Sequence, residues 1–276
     1  MKIFVFGHTG MLGRYVSTYF KSKKYEVVEI GRKTTDKILL IDARAISDLL
    51  MNARISDGDI VINCIGVIKQ LKNLSDSNLI LINAIYPRVL ADVCQYYNVH
   101  MIHPSTDCVF SGLRGLYSEE DAHDALDVYG KTKSLGEPKN ATVIRTSIIG
   151  EELKGKLSFI EWVKSNSGKT VNGYTNHIWN GITCLEFAKL CEKLIINNSF
   201  WLGAKQVFTE EPIAKHKLVE LVSEIYGLNV TVTPIEVPIK CDRSLITTRK
   251  DVTYTVPNYR TQIIDLLEYN SILMSD

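Results

Sequence analysis

No apolar run in the chain reaches the roughly 18 to 20 residues that a membrane-spanning helix needs, so no membrane partner is expected. There is little net charge: 32 basic residues against 31 acidic ones leave +1. A balance this even writes no general attraction to nucleic acid into the chain, although a few local Lys or Arg still suffice for a phosphate. Six cysteines (Cys64, Cys94, Cys108, Cys184, Cys191, Cys241) form no CxxC pair, and no His stands at metal-ligand spacing from them. Reduced thiols and no bound metal are expected. Met1 leads straight into Lys2-Ile3-Phe4-Val5-Phe6, a strand pattern in place of a signal peptide, which makes the cytoplasm the expected location. Internal repeats and low-complexity linkers are missing too, apart from a polar tail at Met274 to Asp276.

What is present is 276 residues, 45% hydrophobic, enough for a dinucleotide-type core with a smaller lobe attached. Up to about Gly150, short β-rich runs (Ile3 to Phe6, Glu26 to Ile30, Ile60 to Cys64, His100 to Pro104, Thr142 to Ser147) alternate with helical spacings (Met11 to Ser22, Ala45 to Met51, Leu79 to Tyr97, Tyr129 to Glu137). This alternation predicts an α/β fold with a Rossmann-like, doubly wound parallel sheet over residues 1–150. Residues 151–276 are expected to form a smaller C-terminal substrate lobe with some elements returning to the sheet. Within it the pattern suggests helices at Phe159 to Lys164, Cys184 to Ile196 and Ile213 to Tyr226, and a strand near Lys205 to Phe208.

The first strand runs into Gly7-His8-Thr9-Gly10-Met11-Leu12-Gly13 and then a helix. Glycines there let the backbone turn sharply and approach a pyrophosphate at the positive end of the helix. Gly7, Thr9, Gly10, Met11, Leu12 and Gly13 are therefore the expected cofactor turn. Dinucleotide folds usually offer an acid to the adenosine ribose about 20 residues further on. Here that place is Gly31, followed by Arg32 and Lys33, which suits the extra phosphate of NADP(H); a solvated basic turn is the competing reading, and Glu29 keeps NAD(H) compatible. Asp42 is a candidate for the adenine edge. Cys64, Ile65 and Gly66 end the third strand where nicotinamide-side backbone contacts fall.

Tyr129 and Lys133 stand four apart, on one helix face. A neighbouring ammonium brings a phenol of pKa about 10 closer to useful acid range, and Lys133 is also a candidate for holding the nicotinamide ribose. Such a spacing also arises by chance in helices. Twenty-three residues earlier the fourth strand ends in Ser105-Thr106-Asp107-Cys108-Val109-Phe110, bringing the Thr106 hydroxyl to the carboxyl edge of the sheet.

In these blocks the chain resembles the extended short-chain dehydrogenase/reductases, and among them the dTDP-4-dehydrorhamnose reductase family. The matching pieces are Phe6 to Gly13, Ser105 to Phe110, Val128 to Lys133 with Gly136-Glu137, and Arg145-Thr146-Ser147. The resemblance implies Thr106, Tyr129 and Lys133 as the catalytic set and the three glycines on the cofactor phosphates. It further implies NADPH-dependent reduction of the 4-keto group of a nucleotide-linked 4-keto-6-deoxyhexose. It also implies that Asn83 supports the active-site floor; a helix N-cap is the alternative. A homodimer is compatible with this reading, but the sequence carries no signature of oligomeric state.

One departure matters. The family usually has tyrosine two residues after the catalytic hydroxyl, and this chain has Cys108. Relatives that both epimerise and reduce keto-deoxy sugars, such as GDP-fucose synthase, carry cysteine there as an acid/base, which adds Cys108 to the catalytic candidates; a small packing residue is the other reading. The opposite-face partner such chemistry requires is sought among His177, Lys164 and Lys169. Asp107, His177 and Arg243 are the substrate-side candidates, with loop structure competing for His177 and a surface salt bridge for Arg243. The methionine adenosyltransferase regulatory subunit also resembles this family, so a non-catalytic NADP-binding role is a third reading.

Overall fold

The computed structural model describes residues 1–31, 42–68, 75–152, 156–251 and 254–273. The chain opens with β1 (Lys2–Phe6), α1 (Met11–Ser22), β2 (Glu26–Ile30), α2 (Ala43–Asn52), β3 (Ile60–Asn63) and α3 (Asp76–Ile80). One π-helical turn (Leu81–Ile85) joins α3 to α4 (Tyr86–Tyr96), and β4 (His100–Ser105), α5 (Val128–Leu135) and β5 (Thr142–Arg145) follow. Beyond these come β6 (Ile148–Ile149), α6 (Phe159–Ser165), β7 (Thr170–Tyr174), β8 (His177–Trp179), β9 (Ile182–Thr183) and α7 (Cys184–Ile196). The last elements are β10 (Gly203–Gln206), β11 (Ile213–Ala214), α8 (Lys215–Ile225), β12 (Thr231–Ile235), β13 (Cys241–Asp242) and α9 (Tyr259–Leu273).

Six strands form one parallel sheet in the order β10-β5-β4-β3-β1-β2. The β1 side chains alternate between two buried layers, as the pleat requires. Ile3 and Val5 face the layer of α1, α7 and α9, where Tyr15, Phe187 and Leu266 lie; Phe4 and Phe6 face that of α2 and α4, with Leu50 and Leu90. The chain leaves β1 for β2 on one side and for β3 and β4 on the other. The carboxyl ends of β1 and β3 therefore flank the switch point at which doubly wound folds bind ligands.

The expected single helix Leu79 to Tyr97 is in fact α3, the π turn and α4, and the stretch Gly168 to Gly181 contains β7 and β8. These short strands pair far along the chain: β7 with β12, and β8 with both β11 and β13. Strand β10 joins the main sheet beside β5. Among the described residues no helix is long and apolar enough to cross a membrane.

Candidate active site

The β1–α1 turn is built for close backbone approach. Gly7 has φ +78°, which favours glycine, and a Cβ on Gly13 would collide with the Gly7 carbonyl. Gly10 caps α1 with no side-chain hydrogen bond, so the first-turn N–H groups remain open to an anion. Met11 and Leu12 pack their side chains against the core and offer only backbone, while Thr9 is exposed. A Cβ on Gly7 would lie 3.0 Å from the backbone of Cys64 and from Ile65, so the β1 and β3 loops sit against each other. Burial pushes the Cys64 thiol up, out of reach of acid/base use at neutral pH. These features fit a dinucleotide pyrophosphate.

Asn83 lies within the π turn and is not a helix N-cap. From the π turn its side chain accepts from Val67 N (2.8 Å) and donates to Val67 O (2.9 Å), clamping the loop that follows Cys64, Ile65 and Gly66. Asp42 caps α2 by accepting from Arg44 N (2.9 Å). Glu29 accepts from Ser17 and pairs with Lys21 of α1. Arg32 and Lys33 lie outside the described residues.

Thr106, Asp107, Cys108 and Tyr129 converge at the carboxyl end of β4. Thr106 accepts from Cys108 N (3.1 Å) and donates its hydroxyl proton to Asp107 Oδ1 (3.0 Å), so Asp107 orients it. Asp127 caps α5 through Gly130 N (2.7 Å), and a Cβ on Gly130 would collide with the Cys108 carbonyl. That contact seats α5 directly on the turn carrying Cys108. Tyr129 hydrogen-bonds Thr106, yet burial, reinforced by neighbouring Cys108, pushes its phenol above the ordinary value. The expected lowering by Lys133 is not what this geometry produces. The Lys133 ammonium is buried and donates to Pro104 O (2.9 Å). Burial lowers its pKa from 10.5 to about 8, and Glu137 one turn on opposes the fall.

Beneath Lys133 lies a polar layer that sequence reasoning missed. Glu137 accepts from Ser105 and from Arg145 through Nε (3.0 Å) and Nη2 (2.7 Å), and Arg145 also meets His123 Nε2 at 2.8 Å. Burial alone would raise the Glu137 pKa, but Arg145 and Ser105 more than offset it and keep the carboxylate ionised. His103, buried in β4, takes a hydrogen bond on Nδ1 from Asn63 (3.1 Å), whose carbonyl accepts from Ile65 N. Its Nε2 has no hydrogen-bond partner among the described residues. Burial and then the Lys133 charge hold His103 neutral. The only sequence signals for this layer were Glu137 four residues after Lys133 and the Arg145-Thr146-Ser147 block.

Arg243 reaches the same corner from β13. It forms no salt bridge among the described residues, and instead donates to Phe110 O (2.9 Å) and Ser111 O (3.3 Å) with Cys108 and Asp107 around it. His177 pairs in register with Cys241 and its Nε2 lies 3.2 Å from Ile239 O, with Lys215 and Arg243 nearby. Lys164 is committed to Glu151 and Glu161, and Lys169 to Ser165 O, so neither joins Cys108.

The family model described as the RmlD substrate binding domain matches residues 1–166. The chain belongs to that RmlD family. A dTDP-4-keto-6-deoxy-D-glucose reductase of Streptomyces niveus is 30% identical over 152 residues, covering 52% of this chain and 51% of the relative. Methionine adenosyltransferase 2 subunit beta of Xenopus tropicalis is 28% identical, covering 55% and 48%. The chain thus spans about half the length of these two relatives. A probable low-salt glycan biosynthesis reductase of Haloferax volcanii is 25% identical over 88% of this chain and 86% of its own. The fold of this RmlD-family chain matches that of a dTDP-4-dehydrorhamnose reductase from Bacillus anthracis solved with NADP, with TM-score 0.81, 17% identity, and coverage of 97% and 99%.

Proposed function

We propose that the chain is an NADPH-dependent reductase of the 4-keto group of a nucleotide-linked 6-deoxyhexose. The observation that carries this reading is the convergence of Thr106 and Tyr129 at the sheet's carboxyl edge over a buried, charged Lys133, on the edge that also carries the open glycine turn. The turn at Gly7, Gly10 and Gly13 would hold the pyrophosphate of a nicotinamide dinucleotide, which would supply the hydride when bound. Tyr129, held as phenol, gives its proton to the carbonyl oxygen as charge develops there. Thr106 turns its hydroxyl proton from Asp107 to the same oxygen, and the buried Lys133 ammonium would hold the ribose on the nicotinamide side. The sugar nucleotide is read as lying between this corner and Arg243 and His177. Residues 1–150 would thus hold the cofactor and 151–276 most of the substrate. In this reading the enzyme acts in the cytoplasm, where such metabolites are made.

A second reading, epimerisation before reduction, draws on Cys108, which is only partly buried and stands beside Tyr129. NADPH oxidation with dTDP-, UDP- and GDP-4-keto-6-deoxyhexoses, with and without a separate 3,5-epimerase, tests both. Turnover only after the epimerase supports plain reduction. Turnover without it, with solvent deuterium entering C3 or C5, supports the second reading. NADP(H) binding with no turnover on any sugar sinks both and favours a regulatory subunit.

A further inference from the structure

Strand β2 ends at Ile30, and Gly31 follows at the position from which dinucleotide folds extend an acid to the adenosine ribose. That position is taken by another side chain. The ring of His8, from the glycine turn, lies over it: a Cβ built on Gly31 would stand 2.8 Å from both Cδ2 and Nε2 of His8. The imidazole nitrogen thus occupies the place where an acid's stem would begin. The opposite ring nitrogen, Nδ1, faces Glu29 Oε1 at 3.6 Å, and Glu29 is itself fixed by Lys21 (2.7 Å) and Ser17. The His8 side chain is 28% exposed, so a ligand can reach it.

An acid at this point accepts from the two ribose hydroxyls and repels a phosphate. A doubly protonated imidazole whose far N–H is taken by a carboxylate does the reverse: its near N–H donates to an anion. We infer that His8 is the cofactor-specificity residue, its Nε2 receiving the 2′-phosphate of NADP(H), with Glu29 a positioning residue acting through the ring. Gly31 is glycine because the ring needs the space a side chain would fill. The inference rests on the dinucleotide-dependent reading above, and it assigns the phosphate to a residue of the glycine turn itself, packed on Gly31.

The test is direct binding, by calorimetry or quenching of protein fluorescence, of NADPH, NADH and 2′,5′-ADP to the full chain without any sugar. The unmodified protein is expected to bind NADPH at least tenfold more tightly than NADH. His8→Ala should weaken NADPH and 2′,5′-ADP about tenfold or more while leaving NADH within about twofold. His8→Lys, which keeps a cation, should retain most of the preference and shows that the turn tolerates replacement. Glu29→Gln should give a partial loss. Because an Asp at 31 and the His8 ring exclude each other, His8→Ala with Gly31→Asp should reverse the preference toward NADH. An unchanged NADPH:NADH ratio in His8→Ala overturns the inference and leaves the reductase reading standing. If the unmodified protein binds neither dinucleotide, both fall.

Discussion

Glu137 and Glu151 are both carboxylates drawn out of water and ringed by donors, yet they serve opposite ends. Glu151 gathers Tyr226 (2.8 Å) and Asn270 (2.7 Å) on Oε1 and Lys164 on Oε2, while Arg14 donates to its carbonyl. It ties α6, α8 and α9 to the start of α1, and its side chain carries no polar atom left without a partner. Around Glu137, Arg145 Nη1 and the nearby His103 Nε2 have no hydrogen-bond partner among the described residues, and Lys133 is held charged at a cost. A satisfied polar cluster stabilises; a half-satisfied one is tolerated where chemistry needs it.

The contrast is sharpest in activity. Tyr129→Phe should lower kcat about 10²- to 10⁴-fold with no loss of thermal stability, since the phenol contributes proton transfer and its ring is kept. A comparable fall in melting temperature would instead make Tyr129 a packing residue. Glu151→Ala should show the opposite profile. Removing the carboxylate leaves Tyr226 and the Asn270 amide without their acceptor and Lys164 with Glu161 alone, a loss of roughly 3 kcal/mol by denaturant titration, with turnover of the remaining folded enzyme near normal.

Lys133 permits a finer comparison, because one proton governs both properties. Its pKa is about 8 folded against an ordinary 10.5. Between those values the unfolded chain binds the proton more than the folded one, so the burial penalty, present in full below about 8, is relieved as pH rises. Activity should therefore fall above about pH 8 while the stability contribution of this residue grows by up to a few kcal/mol toward pH 10.5. Lys133→Met should remove that stability slope along with most of the activity. A slope that persists in the variant assigns it to other groups.

The two regions also differ in how far the sequence reveals them. Helices α1 and α7 run over the predicted residues, and Tyr129 meets Thr106 with Lys133 one turn further along α5, because strand period, glycine turn and YxxxK are local signals. The Glu151 cluster is made of residues 15, 164, 226 and 270, joined only by the fold. Helix α9 escaped notice because polar Gln262 and Asn270 occupy its buried face, each satisfied by distant partners such as Thr183 N and Tyr15 OH, and so break the apolar period. The short strands β7, β8 and β12 pair across some 60 residues. His8 over Gly31 likewise has no signature in sequence, since only the return of β2 brings them together.

The smallest expected effect probes the unsatisfied side directly. Tyr86 is fully buried on the α4 face of the sheet, its ring 6.5 Å from Phe6, and its hydroxyl has no hydrogen-bond partner among the described residues. Tyr226, by comparison, donates to the Glu151 carboxylate. Removing the hydroxyl in Tyr226→Phe should cost about 1.5 to 3 kcal/mol, the range for a bond to a charged group. The same deletion in Tyr86→Phe should be neutral or stabilising by up to about 1 kcal/mol, because it removes a desolvated donor that gains nothing in return. Chemical denaturation of the pair decides it. If Tyr86→Phe proves as costly as Tyr226→Phe, a bound water or ligand group completes that side of the sheet, and the two layers are satisfied alike.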